Sequence, residues 1–304
     1  MHIDLLVAVA GLLVGFVVGL TGMGGGALMT PILVLLFNVQ PLAAVSSDLV
    51  AAVIMKPVGG LVHARRGTVD MRLVRLLCLG SVPAAFCGVL VLKSFGSGDH
   101  LQDVIKKILG VALMVAATAI IGKALVQRGR RMHVDIRDVH MKTLPTIGIG
   151  VLGGFVVGMT SVGSGSLMIV LLLMLYPSLS AAQLVGTDLV QAVPLVLSAA
   201  LGHILFGDFQ LGLTASLLIG SIPGVYLGAR ASANAPDTII RPALVTVLVL
   251  SGLKLLNASN AVLGGVIAVA LLVGAALFVR ARSRSQSSDV LPSVELQSNS
   301  EAVL

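Results

Sequence analysis

The chain has 304 residues, 57% of them hydrophobic and only 11% charged, with a mean hydropathy of +1.05. Soluble domains carry about 25% charged residues, so the composition excludes one and describes a polytopic membrane protein. The formal charge of +7 does not point to nucleic acid, because most Lys and Arg lie in a few loops between apolar runs, as cytoplasmic loops require.

The opening text, MHIDLLVAVAGLLVGF, lacks a basic n-region and an A-x-A-like site, so no cleaved signal peptide is expected. GLTGMGGGALM (19–29) then puts five glycines into an apolar run. Each glycine costs a helix about 1 kcal/mol relative to alanine, so a turn is expected here. The return run from Ala27 to Phe37 is about 16 Å long as a helix, half a bilayer. Residues 1–37 therefore read as a hairpin that re-enters the face it came from. Spans at 42–63, 73–92 and 104–122 follow, completing a first membrane repeat over 1–126. A basic cytoplasmic linker (127–143) leads to a second repeat over 144–258. It holds a second hairpin, Leu144 to Tyr176, and spans at 182–206, 211–229 and 239–256. A further helix is expected at 261–279, and the Ser/Gln-rich 285–304 reads as a disordered cytoplasmic tail. Cys78 and Cys87 are nine residues apart in one span, about 13 Å on a helix, too far for a disulfide.

The two halves repeat each other in fixed register. At an offset of 139, Gly11, Gly15, Gly19 and Thr21 match Gly150, Gly154, Gly158 and Thr160, and Gly24 and Gly26 match Gly163 and Gly165. One residue further out of register, SDLV (47–50) matches TDLV (187–190), His63 matches His203, and GSVP (80–83) matches GSIP (220–223). The loop after the first SDLV segment carries Arg65, Arg66, Arg72 and Arg75, whereas its counterpart HILFGDFQLG has no Lys or Arg. By the positive-inside rule these loops face opposite sides, which makes the repeats inverted. That topology puts fifteen of the 20 Lys and Arg in the cytoplasm, the amino terminus outside and the carboxyl terminus inside. The expected fold is thus an all-α integral membrane protein. Each of its two inverted repeats has a glycine-broken re-entrant hairpin plus three spanning helices, with one extra helix at the end.

Backbone left unpaired at membrane depth is tolerated where it lines a cavity or is buried in protein. A turn at the amino end of a short helix favours an anion, and glycine lets a ligand approach the backbone. The candidate binding residues are therefore Thr21, Gly22, Gly24, Gly25 and Gly26 in the first turn. In the second they are Thr160, Ser161, Gly163, Ser164, Gly165 and Ser166, whose hydroxyls add donors. The upstream glycines, spaced G-x-x-x-G-x-x-x-G, serve internal packing or a homodimer equally well. No G-K-[ST] follows the first turn, so it is no phosphate loop.

Three ionisable residues fall inside the spans: Asp48, Lys56 and Asp188. Each costs about 2.5–3.5 kcal/mol at a helix centre. Asp48 and Asp188 are repeat equivalents, read either as helix-start residues near the interface or as coupling and gating groups. Lys56, opposite Val196 in the repeat, is a candidate to neutralise an anion. It stands eight residues from Asp48, about 12 Å on a straight helix, so a direct pair is not expected. His63 and His203 end equivalent segments, where interfacial hydrogen bonding competes with a pH-sensitive gate.

GFVVGLTGMGGGALMTPILVLL, AAVSSDLVAAV, GGLVHARRGTVDMRLV and LGSVPAAFCGVL, each with a weaker second copy, resemble the TauE/SafE sulfite exporter family over residues 5–258. The resemblance implies a bacterial-type plasma-membrane carrier of small sulfur-containing anions such as sulfite, sulfonates and sulfoacetate, and leaves the substrate and direction open. A role for Asp48 and Asp188 is read from the residues and not from the resemblance.

The expected function is therefore export of a small sulfur anion by alternating access. Proton-coupled uptake of an organosulfonate is the near rival, and an anion channel a further one. An intramembrane serine hydrolase using Ser161 or Ser164 with His203 is disfavoured, because His203 is expected at the outer face, about 15 Å from a midplane serine. No enzyme activity, cofactor, metal site or nucleic-acid partner is expected; the partners are a small anion and the lipid bilayer.

Overall fold

The computed structural model describes residues 4–21, 25–65, 69–96, 98–127, 141–231 and 237–269. All regular structure among these is helical: α1 (Leu5–Thr21), α2 (Gly26–Leu35), α3 (Pro41–Arg65), α4 (Met71–Ser94), α5 (Asp99–Gln127), α6 (Thr143–Thr160), α7 (Leu167–Leu175), α8 (Ala181–Phe206), α9 (Leu211–Ala231) and α10 (Asp237–Leu255). Beyond Ala258 lies a second unit, whose described part holds an apolar helix, α11 (Asn260–Val269). Much of the expected basic linker and all of the expected tail lie outside the described residues, as do Gly22 and Gly24 and the His63 side chain.

The helix starts have local causes. Asp70 caps α4 by accepting from the amides of Arg72 (2.8 Å) and Leu73 (3.4 Å). Ser180 and Gln183 form a capping box at the start of α8. α4, α5, α6, α8 and α9 contain stretches long and apolar enough to cross a bilayer. Only 44–50% of each such stretch is buried, and the outward half carries residues such as Leu79, Leu144 and Leu205. A surface that apolar needs lipid and not water against it.

Two interlocked helix pairs organise the bundle. Gly220, Gly224 and Gly228 of α9 lie against the backbone of Ala8, Leu12 and Phe16, while Gly11 and Gly15 of α1 lie against Leu217 and Ser221. The order is the same on both helices, so α1 and α9 run parallel. Likewise Gly150, Gly154 and Gly158 of α6 meet Leu77, Ser81 and Ala85 of α4, again in parallel. Backbones this close leave no room for a Cβ, which is what small-residue spacing permits in a membrane. The spacing that left internal packing and a homodimer open is thus engaged inside the chain.

The ends of the bundle are tied by polar contacts. At one end the Asp4 amide donates to Ser216 Oγ (3.0 Å) and the Gln210 amide to Ser47 Oγ (3.4 Å), gathering the starts of α1, α3 and α9. At the other, the Asp70 amide donates to Thr187 Oγ1 (3.1 Å), joining the starts of α4 and α8. Tyr176, just past α7, accepts from the Lys142 amide (2.9 Å) and hydrogen-bonds Thr146 (2.6 Å). The α6–α7 pair therefore returns to the end it started from.

Candidate functional site

The glycine turns meet. Gly26 opens α2 with its Cα pressed onto the backbone carbonyl of Ser161, so closely that any Cβ there would collide with it. Ser161 ends α6 in the left-handed region (φ 60°), and Gly163 (φ 123°) and Gly165 (φ 93°) extend the loop. The loop needs glycine at those two positions because L side chains rarely adopt such angles. Residues 161–166 are buried throughout, although they form no helix. The Thr21, Gly25 and Gly26 end of the first turn is described; the middle of it, with Gly22 and Gly24, is not.

The hydroxyls expected to converge there divide into distinct roles. Thr21 donates to the carbonyl of Val17 (2.8 Å) on its own helix, and Thr160 donates to Val156 (2.7 Å). Ser161 Oγ donates to Asp48 Oδ2 (2.7 Å). Ser164 Oγ accepts from Lys56 Nζ (2.5 Å), and Ser166 Oγ is buried without a protein partner. Ser164 and Ser166 line a narrow, mostly apolar cleft together with Thr21 and Leu28 of the first half, Ile120 of α5 and Leu244 and Leu248 of α10.

Asp48 lies where α2 meets the Ser161 loop. It is 1% exposed and its Oδ2 accepts from Thr30 Oγ1 of α2 (3.0 Å) as well as from Ser161. Asp188, also 1% exposed, accepts from Gln191 Nε2 (3.1 Å), whose Oε1 accepts from Ser81 of α4 (3.1 Å). Lys56 sits in the field of both aspartates while its ammonium donates to Ser164. Burying a charge demands such company.

His203 stands in the last turn of α8, the segment end where it was expected. It is fully buried, with Nε2 2.8 Å from the Gly158 carbonyl and Nδ1 2.8 Å from Ser46 Oγ. A carbonyl only accepts, so Nε2 carries the proton, and in the neutral ring Nδ1 accepts from Ser46. The physical reason is the packing of α8 against α3 and α4, which covers the His203 side of its last turns while Leu201, Ile204 and Leu205 stay exposed. Thr30, Ser46, Ser81 and Gln191 were not singled out from sequence. Gln191 had a signal, standing three residues after Asp188 and therefore on the same helix face.

The family model described as Sulfite exporter TauE/SafE matches residues 7–255, which take in both turns and all of the buried charges. The chain belongs to this family. Among curated relatives, the probable membrane transporter protein YjnA of Bacillus subtilis (strain 168) is 39% identical over 81% of this chain and 97% of its own. The probable membrane transporter protein YdhB of the same organism is 24% identical over 80% and 96%. The probable membrane transporter protein MJ0441 of Methanocaldococcus jannaschii is 27% identical over 56% and 61%. No solved structure matches. As a TauE/SafE member, the chain is a multi-pass membrane protein of a transporter family.

Proposed function

We propose that this protein is a secondary transporter that exports a small sulfur-containing anion, of the sulfite, sulfonate or sulfoacetate type, by alternating access. The anion is held where the two glycine turns meet near the bilayer midplane. The observation that carries this reading is the contact of Gly26 with Ser161 beside a cleft edged by Ser164 and Ser166, with Lys56 directly behind Ser164.

An inverted repeat with re-entrant hairpins is supported by the gathering of helix starts. α1 begins at the end shared with α3 and α9, whereas α6 runs parallel to α4 from the opposite end. The two short-helix pairs then reach the centre from opposite faces, as in transporters built on broken helices. With the positive-inside orientation, the amino terminus is outside and the carboxyl terminus cytoplasmic, in a bacterial-type plasma membrane. The direction follows from magnitude. A negative interior expels an anion with about 2.3 kcal/mol per charge per 100 mV, so export needs no coupling ion.

A second reading, proton-coupled uptake of an organosulfonate, is favoured by one observation: Asp48 is a buried carboxylate on the contact between the turns, where its protonation would alter its bonds to Ser161 and Thr30. Flux of labelled sulfite and sulfonates in proteoliposomes separates the two. Saturable efflux driven by an imposed potential alone supports the exporter. Flux that appears only with a proton gradient supports coupled uptake, and no flux of any sulfur anion overturns both.

A further inference from the structure

One face of α9 holds α1 through Gly220, Gly224 and Gly228, and the opposite face is turned outward. On it Ile219, Ile222 and Tyr226 are 52%, 43% and 49% exposed, and Arg230 in the last turn is exposed as well. Spacings of three, four and four residues put all four on a single stripe. The Arg230 guanidinium lies over the Tyr226 ring, 4.7 Å from its centroid. Stacking of this kind fixes the plane of the guanidinium and leaves its N–H edges free to donate. Among the described residues no carboxylate pairs with Arg230, and the Tyr226 hydroxyl has no hydrogen-bond partner. The stripe therefore ends in a held cation whose charge the protein leaves unmatched, with a hydroxyl one turn away.

We propose that this stripe is a binding site for one anionic phospholipid. Arg230 and the Tyr226 hydroxyl take its phosphate, and an acyl chain lies along Ile222 and Ile219. A planar guanidinium meets two phosphate oxygens at once, which a point charge does not. From Ile219 to Arg230 the stripe is about 16 Å long, half the hydrocarbon core and so the depth of one leaflet. In the orientation proposed above this is the cytoplasmic leaflet, whose surface is anionic. Lys93, in the last turn of α4, differs in what surrounds it. Its ammonium lies 4.3 Å from the Phe206 ring centroid, but the adjacent Ser94 hydroxyl donates back to the Val91 carbonyl (2.6 Å) and offers no second donor.

The test is native mass spectrometry of the full-length protein in detergent, titrated with phosphatidylglycerol or with phosphatidylcholine of the same acyl chains. Phosphatidylglycerol is expected to bind about fivefold more tightly, the contribution of one basic residue at an anionic surface. Arg230→Gln is expected to abolish that preference, and Arg230→Lys to keep part of it, because the charge stays and the fork goes. Lys93→Gln is expected to leave it unchanged. No preference in the wild type, a preference that survives Arg230→Gln, or an equal loss with Lys93→Gln overturns the inference. Displacement of the lipid by equimolar glycerol 1-phosphate would show a site for free phosphate and overturn the lipid assignment. No flux enters the measurement, so its failure leaves the transporter reading standing, and absence of transport leaves this site standing.

Discussion

Asp48 in α3 and Ser161 at the end of α6 are 113 residues apart in the chain and 2.7 Å apart in space. With Thr30 as a second donor to the same oxygen, this bond fastens the loop of one half onto α2 and α3 of the other. Hydrogen bonds to a charged group contribute about 1.5–3 kcal/mol, so Ser161→Ala is expected to destabilise the protein by that amount. Thermal unfolding in detergent measures it. Asp48→Asn keeps an acceptor oxygen and is expected to cost less than Asp48→Ala, which leaves two buried hydroxyls without an acceptor. Equal losses for the two Asp48 variants would show that the oxygen is not what matters there.

Lys56 and Ser164 act on a bound anion in series if the hydroxyl carries the influence of the ammonium. Lys56→Met and Ser164→Ala are then each expected to weaken half-saturation about tenfold, or about 1.4 kcal/mol. The double variant is expected to be no worse than the worse single one, because neighbours in one network are not additive. Additive losses in a double-mutant cycle of flux would place Lys56 in direct contact with the anion instead.

Gly26→Ala is expected to abolish folding or transport, because the atom it strikes is backbone, the Ser161 carbonyl, which no rotamer change can move aside. Overpacking of this kind costs about 3 kcal/mol or more. Gly148→Ala, where a Cβ meets open space on α6, is the control. It is expected to be neutral or to stabilise by up to about 1 kcal/mol through helix propensity. Expression and monodispersity in size-exclusion chromatography read both.

The proposed inverted topology predicts opposite accessibility of two turns. With Cys78 and Cys87 replaced, Asp208→Cys between α8 and α9 is expected to react with a membrane-impermeant thiol reagent in intact cells. Val69→Cys, ahead of α4, is expected to react only after permeabilisation. Labelling of both from the same face would rule out inversion.

Much of the helical order was legible in the sequence, because span length and glycine content are local properties. The run expected at 42–63 is α3 over Pro41–Arg65, and that expected at 73–92 is α4 over Met71–Ser94. The break before Gly26 and the one after Thr160 were equally visible, since runs rich in glycine announce themselves in the text. Repeat matching also marked Asp48 and Asp188 as equivalent, but did not name their partners. Asp48 takes its partners from α2 and the opposite half, and Asp188 takes Gln191 from its own helix.

By itself the sequence determined that this is a helical membrane protein of a transporter family, and it pointed to a glycine-rich break in each half. Bilayer thickness and backbone propensity act residue by residue and leave their mark in composition and period. Only the tertiary structure decided which hydroxyls remain available. Thr21 and Thr160 turn back onto their own helices, Ser161 serves Asp48, and Ser164 and Ser166 are left facing the cleft. Five similar hydroxyls in two similar turns cannot be told apart by spacing. A hydrogen bond is assigned by distance and direction to a partner up to 113 residues away, and those are set only when the helices pack.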